Sequence, residues 1–166
     1  MKVMGNKYRK RLRVASLTQS YVNIPMWYYY AAKHKGICIK YLVKDFGIED
    51  IFLPVIYPKM REASEYHFYP TDKQINIGAV FSALVKNEDW KFEKEWRIIR
   101  CGDSLPDKLY VNWKIDTIYY GIDTPEQYKI LIKNFIEKNN LDIDLLEMQM
   151  TAQGLRSKPY AQKESY

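Results

Sequence analysis

Apolar and polar positions alternate from Leu12 to Leu17, which reads as a strand with Leu12, Val14 and Ser16 on one face. Asn23 then offers a helix N-cap, and Pro25 sits in the first turn, where its missing N–H costs little. The helix is expected to run from Ile24 to Lys35 and to stop at Gly36, with Ile24, Trp27, Tyr30 and Ala31 turned inward. Ile37 to Val43 reads as a strand, apolar enough to be central. Ile51 to Tyr57 reads as another, and Pro54 places it at an edge or a bulge. Arg61 to Pro70 is polar, tyrosine-rich and irregular. Asp72 to Lys86 has the helical register, through Ile75, Ala79, Val80 and Ala83. Lys94 to Cys101 is a strand, and Lys108 to Asn112 and Ile115 to Gly121 are two more, both short.

The clearest helix spans Pro125 to Lys138, where Tyr128, Leu131, Ile132, Phe135 and Ile136 follow the amphipathic spacing. Leu131, Phe135 and Ile136 are the residues expected to be buried. Thr124 and Gln127 form a capping-box pair around Pro125. Ile143 to Met148 is a last strand, and the polar stretch after Thr151 is expected to be loosely held. With no regular strand–helix–strand alternation, the pattern predicts an α+β fold. A mixed, mostly antiparallel sheet would carry about three helices in a single domain. The organisation is a basic arm over residues 1–12, the α+β domain over 13–150 and a polar tail over 151–166.

Composition changes this picture in two places. Fifteen tyrosines in 166 residues suit interfaces, base stacking or a polar-rimmed cleft, or simply half-buried strand positions. The net charge of +6 lies wholly in Met1 to Arg13, where Lys2, Lys7, Arg9, Lys10, Arg11 and Arg13 meet no acid. The rest of the chain is neutral, so its body is not a basic nucleic-acid module, while the arm is suited to a polyanion or to plain solvation. Cys38 and Cys101 lack metal-ligand or disulfide-framework spacing. No apolar segment follows the basic start, and the apolar run from Ile51 to Tyr57 is too short for a bilayer, so a cytoplasmic protein without a membrane partner is expected. No glycine-rich phosphate loop, Ser-His-Asp order or metal-spaced cluster is present in the sequence. The oligomeric state is open.

Two segments carry candidate chemistry. In Trp90 to Arg100, WKFEKEWRIIR, strand alternation would put Glu93, Glu95 and Arg97 on one face, about 7 Å apart at each step. A carboxylate there can be held ionised by the arginine, or the row can be an exposed charge ladder. In Asn23 to Gly36, Trp27, Tyr30 and His34 share one helical stripe that suits a flat ring, although His34 equally fits a capping or core role. Ser16 and Asn23, near the ends of the first strand and the following turn, complete the set of ligand-contacting candidates.

As a set, these blocks resemble an uncharacterised bacterial family, domain of unknown function 2971, over Arg13 to about Met150. The matching residues are Ser16-Leu17-Thr18, Met26-Trp27-Tyr28-Tyr29-Tyr30-Ala31, His34-Lys35-Gly36-Ile37-Cys38-Ile39, the block Trp90, Glu93, Glu95 and Arg97, and Ile118-Tyr119-Tyr120-Gly121. Tyr29 stands where the family usually has His, and the resemblance implies an earlier family segment, with a strand and an Asn-Asp-Pro turn, that this chain is expected to lack. The layout is also faintly similar to ADP-ribosyltransferases. That likeness implies a nucleotide ligand, NAD as the candidate cofactor, Glu95 on the ribose and Trp27 or Tyr30 against a ring, in a toxin or phage-defence setting. A non-catalytic ligand or nucleic-acid binding module, a structural or interaction domain, and a truncated inactive homologue are the alternatives.

Overall fold

The computed structural model describes residues 12–43, 51–59, 75–102, 105 and 113–161. Seven strands and three α-helices are placed among them: β1 (Leu12–Thr18), α1 (Ile24–Tyr30), β2 (Ile37–Leu42), β3 (Ile51–Pro54), α2 (Ile75–Leu84), β4 (Glu95–Cys101), β5 (Lys114–Tyr120), α3 (Glu126–Lys138), β6 (Asp144–Thr151) and β7 (Gly154–Pro159). A 3₁₀ turn, Glu88–Glu93, precedes β4. The class is α+β, as the alternation pattern implied. The irregular stretch Arg61 to Pro70, the strand expected at Lys108 to Asn112 and the basic arm Met1 to Lys10 lie outside the described residues.

The strands form two sheets rather than one, ordered β1-β4-β3 and β2-β5-β6-β7. Contacts group the chain into two compact units, Met1–Gln19 with Asp45–Val111, and Ser20–Lys44 with Asn112–Tyr166. The expectation of one sheet with Ile37 to Val43 central in it is therefore corrected: β2 pairs only with β5, at an edge of its own sheet.

In the first unit β4 is central and antiparallel to both neighbours, with Leu12 opposite Cys101 and Ile51 opposite Ile99. Pro54 ends the edge strand β3, where a missing N–H interrupts no inner ladder. Val55, Leu84, Ile98 and Ile99 are buried.

In the second unit β5 and β6 are parallel and joined by α3, while β6 and β7 form a hairpin. Thus Gly154–Pro159 is a strand where a loose tail was expected. Side chains alternate on β5 and pack two layers. Tyr119 joins Trp27, Ala31, Met148 and Leu155, whereas Ile118 and Tyr120 join Ile136.

Both predicted helix faces need correction. In α1 only Trp27 is buried, with Ala31 just beyond it; Ile24 and Tyr30 are exposed. The helix ends five residues early, because Ala32, Lys33 and His34 take left-handed conformations that no helix continues. In α3 the inward face is Lys129, Ile132 and Ile136, and Tyr128, Leu131 and Phe135 point to solvent. Two adjacent apolar stripes run along this helix. The inner one contains a lysine whose ammonium meets Glu147 at 3.1 Å and Glu126 at 3.7 Å. Thr124 does not cap α3; its hydroxyl donates to the Gly36 carbonyl at 2.9 Å.

Candidate functional site

The charged residues of WKFEKEWRIIR do converge, by a different route from strand alternation. Asn87 accepts from the Asp89 N–H at 3.0 Å, and Glu88 and Asp89 occupy the first turn of the 3₁₀ segment. Acid at that end suits the helix dipole. The turn closes at Lys94 in a left-handed conformation, φ 46°. Glu93 therefore ends the turn and Glu95 begins β4, so they do not share a strand face. They meet at a third group: Lys86 donates to Glu93 Oε2 in a short contact and to Glu95 Oε2 at 3.2 Å. The Lys86 ammonium also lies 5.1 Å from the Trp90 ring centroid.

Arg97 grips Glu95 from the other side, Nε to Oε1 at 2.7 Å and Nη2 to Oε2 at 3.1 Å. Its Nη1 donates to the Ala83 carbonyl in the last turn of α2, where a cation complements the exposed carbonyls. The Ser16 hydroxyl also hydrogen-bonds the Glu95 carboxylate. Tyr57 accepts from the Glu95 N–H at 3.0 Å, and Thr18 donates to the Glu93 carbonyl at 2.7 Å. Glu93 and Glu95 are 2% and 6% exposed.

These contacts set the charge states. Burial pushes the Glu95 carboxyl up, but hydrogen bonds from Arg97, Ser16 and Lys86 outweigh it and hold the group at about 2. Burial acts against the Lys86 ammonium too, and the two glutamates overcome it and raise its pKa. Burial pushes the Tyr57 phenol up, with the nearby carboxylates adding to the effect. Two carboxylates, one ammonium and one guanidinium balance to zero. A carboxylate has about four lone-pair sites, and Glu95 receives two donors from Arg97, one from Lys86 and one from Ser16. Its accepting capacity is filled from within the protein.

The remaining candidates belong to the second unit and do not form one stripe. Trp27 is 3% exposed, lies in the core, and its indole N–H donates to the Tyr21 carbonyl at 2.6 Å. An indole so enclosed is a packing residue, not a stacking wall. Tyr30 is exposed. Asn23 is the N-cap expected of it, accepting from the Met26 N–H at 3.4 Å. His34 lies beyond the helix, with its Nδ1 buried and without a hydrogen-bond partner among the described residues. The main chain there is fully used: the His34 N–H donates to the Trp27 carbonyl and its carbonyl accepts from the Asp123 N–H at 3.1 Å.

Lys86 and Tyr57 are the members that strand reasoning missed. The sequence did hold a signal for the turn that brings Glu93 toward Lys86, since Asn87-Glu88-Asp89 is a cap followed by first-turn acids. Tyr57 read only as a strand-end rim residue, and nothing local pointed to its contact with Glu95, which it makes across the sheet. Cys38 and Cys101 are half-buried free thiols pushed up by burial. Among the described residues no group of His, Cys, Asp and Glu has metal-binding geometry, and no helix is long and apolar enough to cross a membrane.

The fold and the cluster define an α+β protein with a buried, charge-balanced ion network on its central antiparallel strand. Residues 26–98 match the model of a family described as Protein of unknown function (DUF2971). That span bears out the family resemblance read from the aromatic block at Met26 to Ala31 and the Glu93–Arg97 block. No curated protein and no solved structure matches the chain.

Proposed function

We propose that the chain is a non-catalytic binding module that takes single-stranded nucleic acid on the aromatic segment between Ser20 and Lys44. The observation that carries this reading is the exposure of Tyr28, Tyr29 and Tyr30 on α1, beside exposed Lys33 and Lys35. The body as a whole is neutral and Lys40 is paired with Asp116 at 2.6 Å, so the reading rests on the local charge of Lys33 and Lys35 beside the tyrosines. Tyr28 and Tyr29 meet edge to face at 5.6 Å, and Lys33 lies 5.8 Å from the Tyr28 ring centroid. Phenol rings at this exposure offer faces on which bases stack, and ammonium groups beside them favour the phosphate backbone.

In this reading the Glu93–Lys86–Glu95–Arg97 network is the frame of the module, not its working part. A nucleotide-using transferase of ADP-ribosyltransferase type is the second reading. One fact favours it: Glu95 is held ionised at about 2, as a group that stabilises developing positive charge must be. The filled acceptor sites of Glu95 and the burial of Trp27 oppose it.

Titration of a labelled single-stranded oligonucleotide at several salt concentrations tests the proposal. Replacing Tyr28, Tyr29 and Tyr30 with Ala should weaken binding by roughly tenfold or more. Lys33→Gln with Lys35→Gln should flatten the salt slope by about one to two. No binding at low salt, or binding unchanged in both variants, overturns it. NAD turnover that is lost in Glu95→Gln without loss of stability would establish the transferase reading instead.

A further inference from the structure

We propose that Tyr21 is a fixed platform on which the chain stacks one unpaired nucleobase. This rests on the single-strand reading above and names the part of the strand that is recognised there, the base and not the backbone. The Tyr21 ring lies 4.3 Å from the Tyr119 ring, centroid to centroid, and the two are 15° from parallel. Stacking of this kind is one of the arrangements aromatic pairs prefer. The two rings differ in exposure: Tyr119 is 4% exposed and Tyr21 is 38% exposed. Tyr119 packs into the core with Trp27, Ala31, Met148 and Leu155. One face of the Tyr21 ring is taken by Tyr119, so its exposed area lies on the opposite face and the rim.

Both rings are held before any ligand arrives. The Trp27 indole N–H donates to the Tyr21 carbonyl at 2.6 Å, which ties the main chain at Tyr21 to a buried side chain of α1. The Tyr119 hydroxyl hydrogen-bonds Thr117, the Thr117 hydroxyl donates to Asp116 Oδ2 at 2.8 Å, and the Lys40 ammonium meets the same oxygen at 2.6 Å. A ring fixed in this way loses little further freedom when another flat ring settles on it. A nucleobase is such a ring, and because every base has a π-face the contact tolerates any sequence. Bases within a duplex are already stacked on their neighbours, so the platform selects strands whose bases can be splayed out. Tyr28 and Tyr29 are arranged differently, edge to face at 87°, with Lys33 against Tyr28. Charge directed at phosphate therefore sits by the helix tyrosines. The charges joined to the Tyr21–Tyr119 stack, Lys40 and Asp116, are paired with each other. Stacking on Tyr21 should add affinity without adding to the salt dependence.

Titration of the full chain with two labelled strands of equal length, oligothymidylate and the same backbone with abasic residues, tests this through the ratio of the two affinities. The wild type should hold the base-bearing strand at least about tenfold more tightly. Tyr21→Leu keeps apolar cover over Tyr119 and removes the ring, so it should lower that ratio about tenfold and leave the salt slope unchanged. Tyr21→Phe should restore the ratio, since the hydroxyl takes no part in the stack. A second readout needs no variant: nitration of Tyr21 in the wild type, located by peptide mass, should slow under saturating oligothymidylate and not under the saturating abasic strand. An unchanged ratio in Tyr21→Leu, or Tyr21 nitrated as fast with oligothymidylate as without it, overturns the proposal alone and leaves the binding module standing. A ratio that falls together with the salt slope would mean a displaced α1 and not a lost platform, and overturns it as well. A wild-type chain that binds neither strand overturns both the platform and the single-strand reading beneath it.

Discussion

The carbonyl oxygen of His34 lies 2.0 Å from where a Cβ on Gly121 would stand. The two chain segments meet there main chain to main chain, with the Thr124 hydroxyl added on the Gly36 carbonyl. The Gly121 N–H donates to the Gly36 carbonyl at 3.0 Å, and the Asp123 N–H donates to the His34 carbonyl at 3.1 Å. The contact holds the turn after α1 against the end of β5, and only a residue without a side chain fits. Gly121→Ala should therefore destabilise the protein by about 3 kcal/mol, the upper part of the range for forced overpacking. A urea melt is the check, and a midpoint within error of the wild type would show that the two segments separate easily.

Removing one member of the buried network should cost more than any surface change. Lys86→Met removes the cation that bridges Glu93 and Glu95 and leaves Arg97, on the far side of Glu95, to balance two carboxylates, and the loss should be about 3–5 kcal/mol. Glu95→Gln should also lower the melting temperature, since it leaves Arg97 without its carboxylate. Calorimetry of both variants settles whether the network is the frame of the first unit. Equal melting temperatures for wild type and Lys86→Met would contradict that role.

Acid should undo the same network. The folded carboxyl of Glu95 sits at about 2 against an ordinary 4.5, so the unfolded chain binds the proton more readily. The stability it confers is complete above about pH 4.5 and is lost as pH falls toward about 2. Thermal melts between neutral and acid pH should show the decline over that window, and Glu95→Gln should show a smaller one.

The two stripes of α3 should separate cleanly under truncation. Ile136→Ala empties a core position and should cost about 2–5 kcal/mol. Phe135→Ala removes a side chain that is mostly in solvent and should stay within about 0.5 kcal/mol. Chemical denaturation of the pair measures the contrast, and the reverse order would mean that the helix is rotated from the position described.

Sequence reading succeeded where one physical rule acted locally. Asn23 as a cap, Pro54 at an edge and the extents of β1, β4 and β5 all follow from capping, a missing N–H and alternation. It failed where a distant partner decided. Lys129 goes inside because Glu147 waits on β6, a fact absent from the helix itself. Lys94 takes a left-handed conformation that splits an apparently continuous strand pattern into a turn and a strand. That split moved Glu93 off the expected face, and Lys86 restored its meeting with Glu95. The stripe of Trp27, Tyr30 and His34 required four more helical residues than the left-handed turn at Ala32 allows.

The interleaving of the two units bears on how the chain is made. Leu12 pairs with Cys101 and Ile37 with Tyr120, so neither sheet can close until most of the chain has left the ribosome. Trp27 and Ala31 must wait for Tyr119, Met148 and Leu155 before they are covered. Pairings this far apart in sequence are slow to form and leave apolar strands open meanwhile. A nascent chain halted before β5 would therefore be a substrate for holding chaperones, and synthesis without them should yield aggregate in proportion to the time spent short of Tyr120.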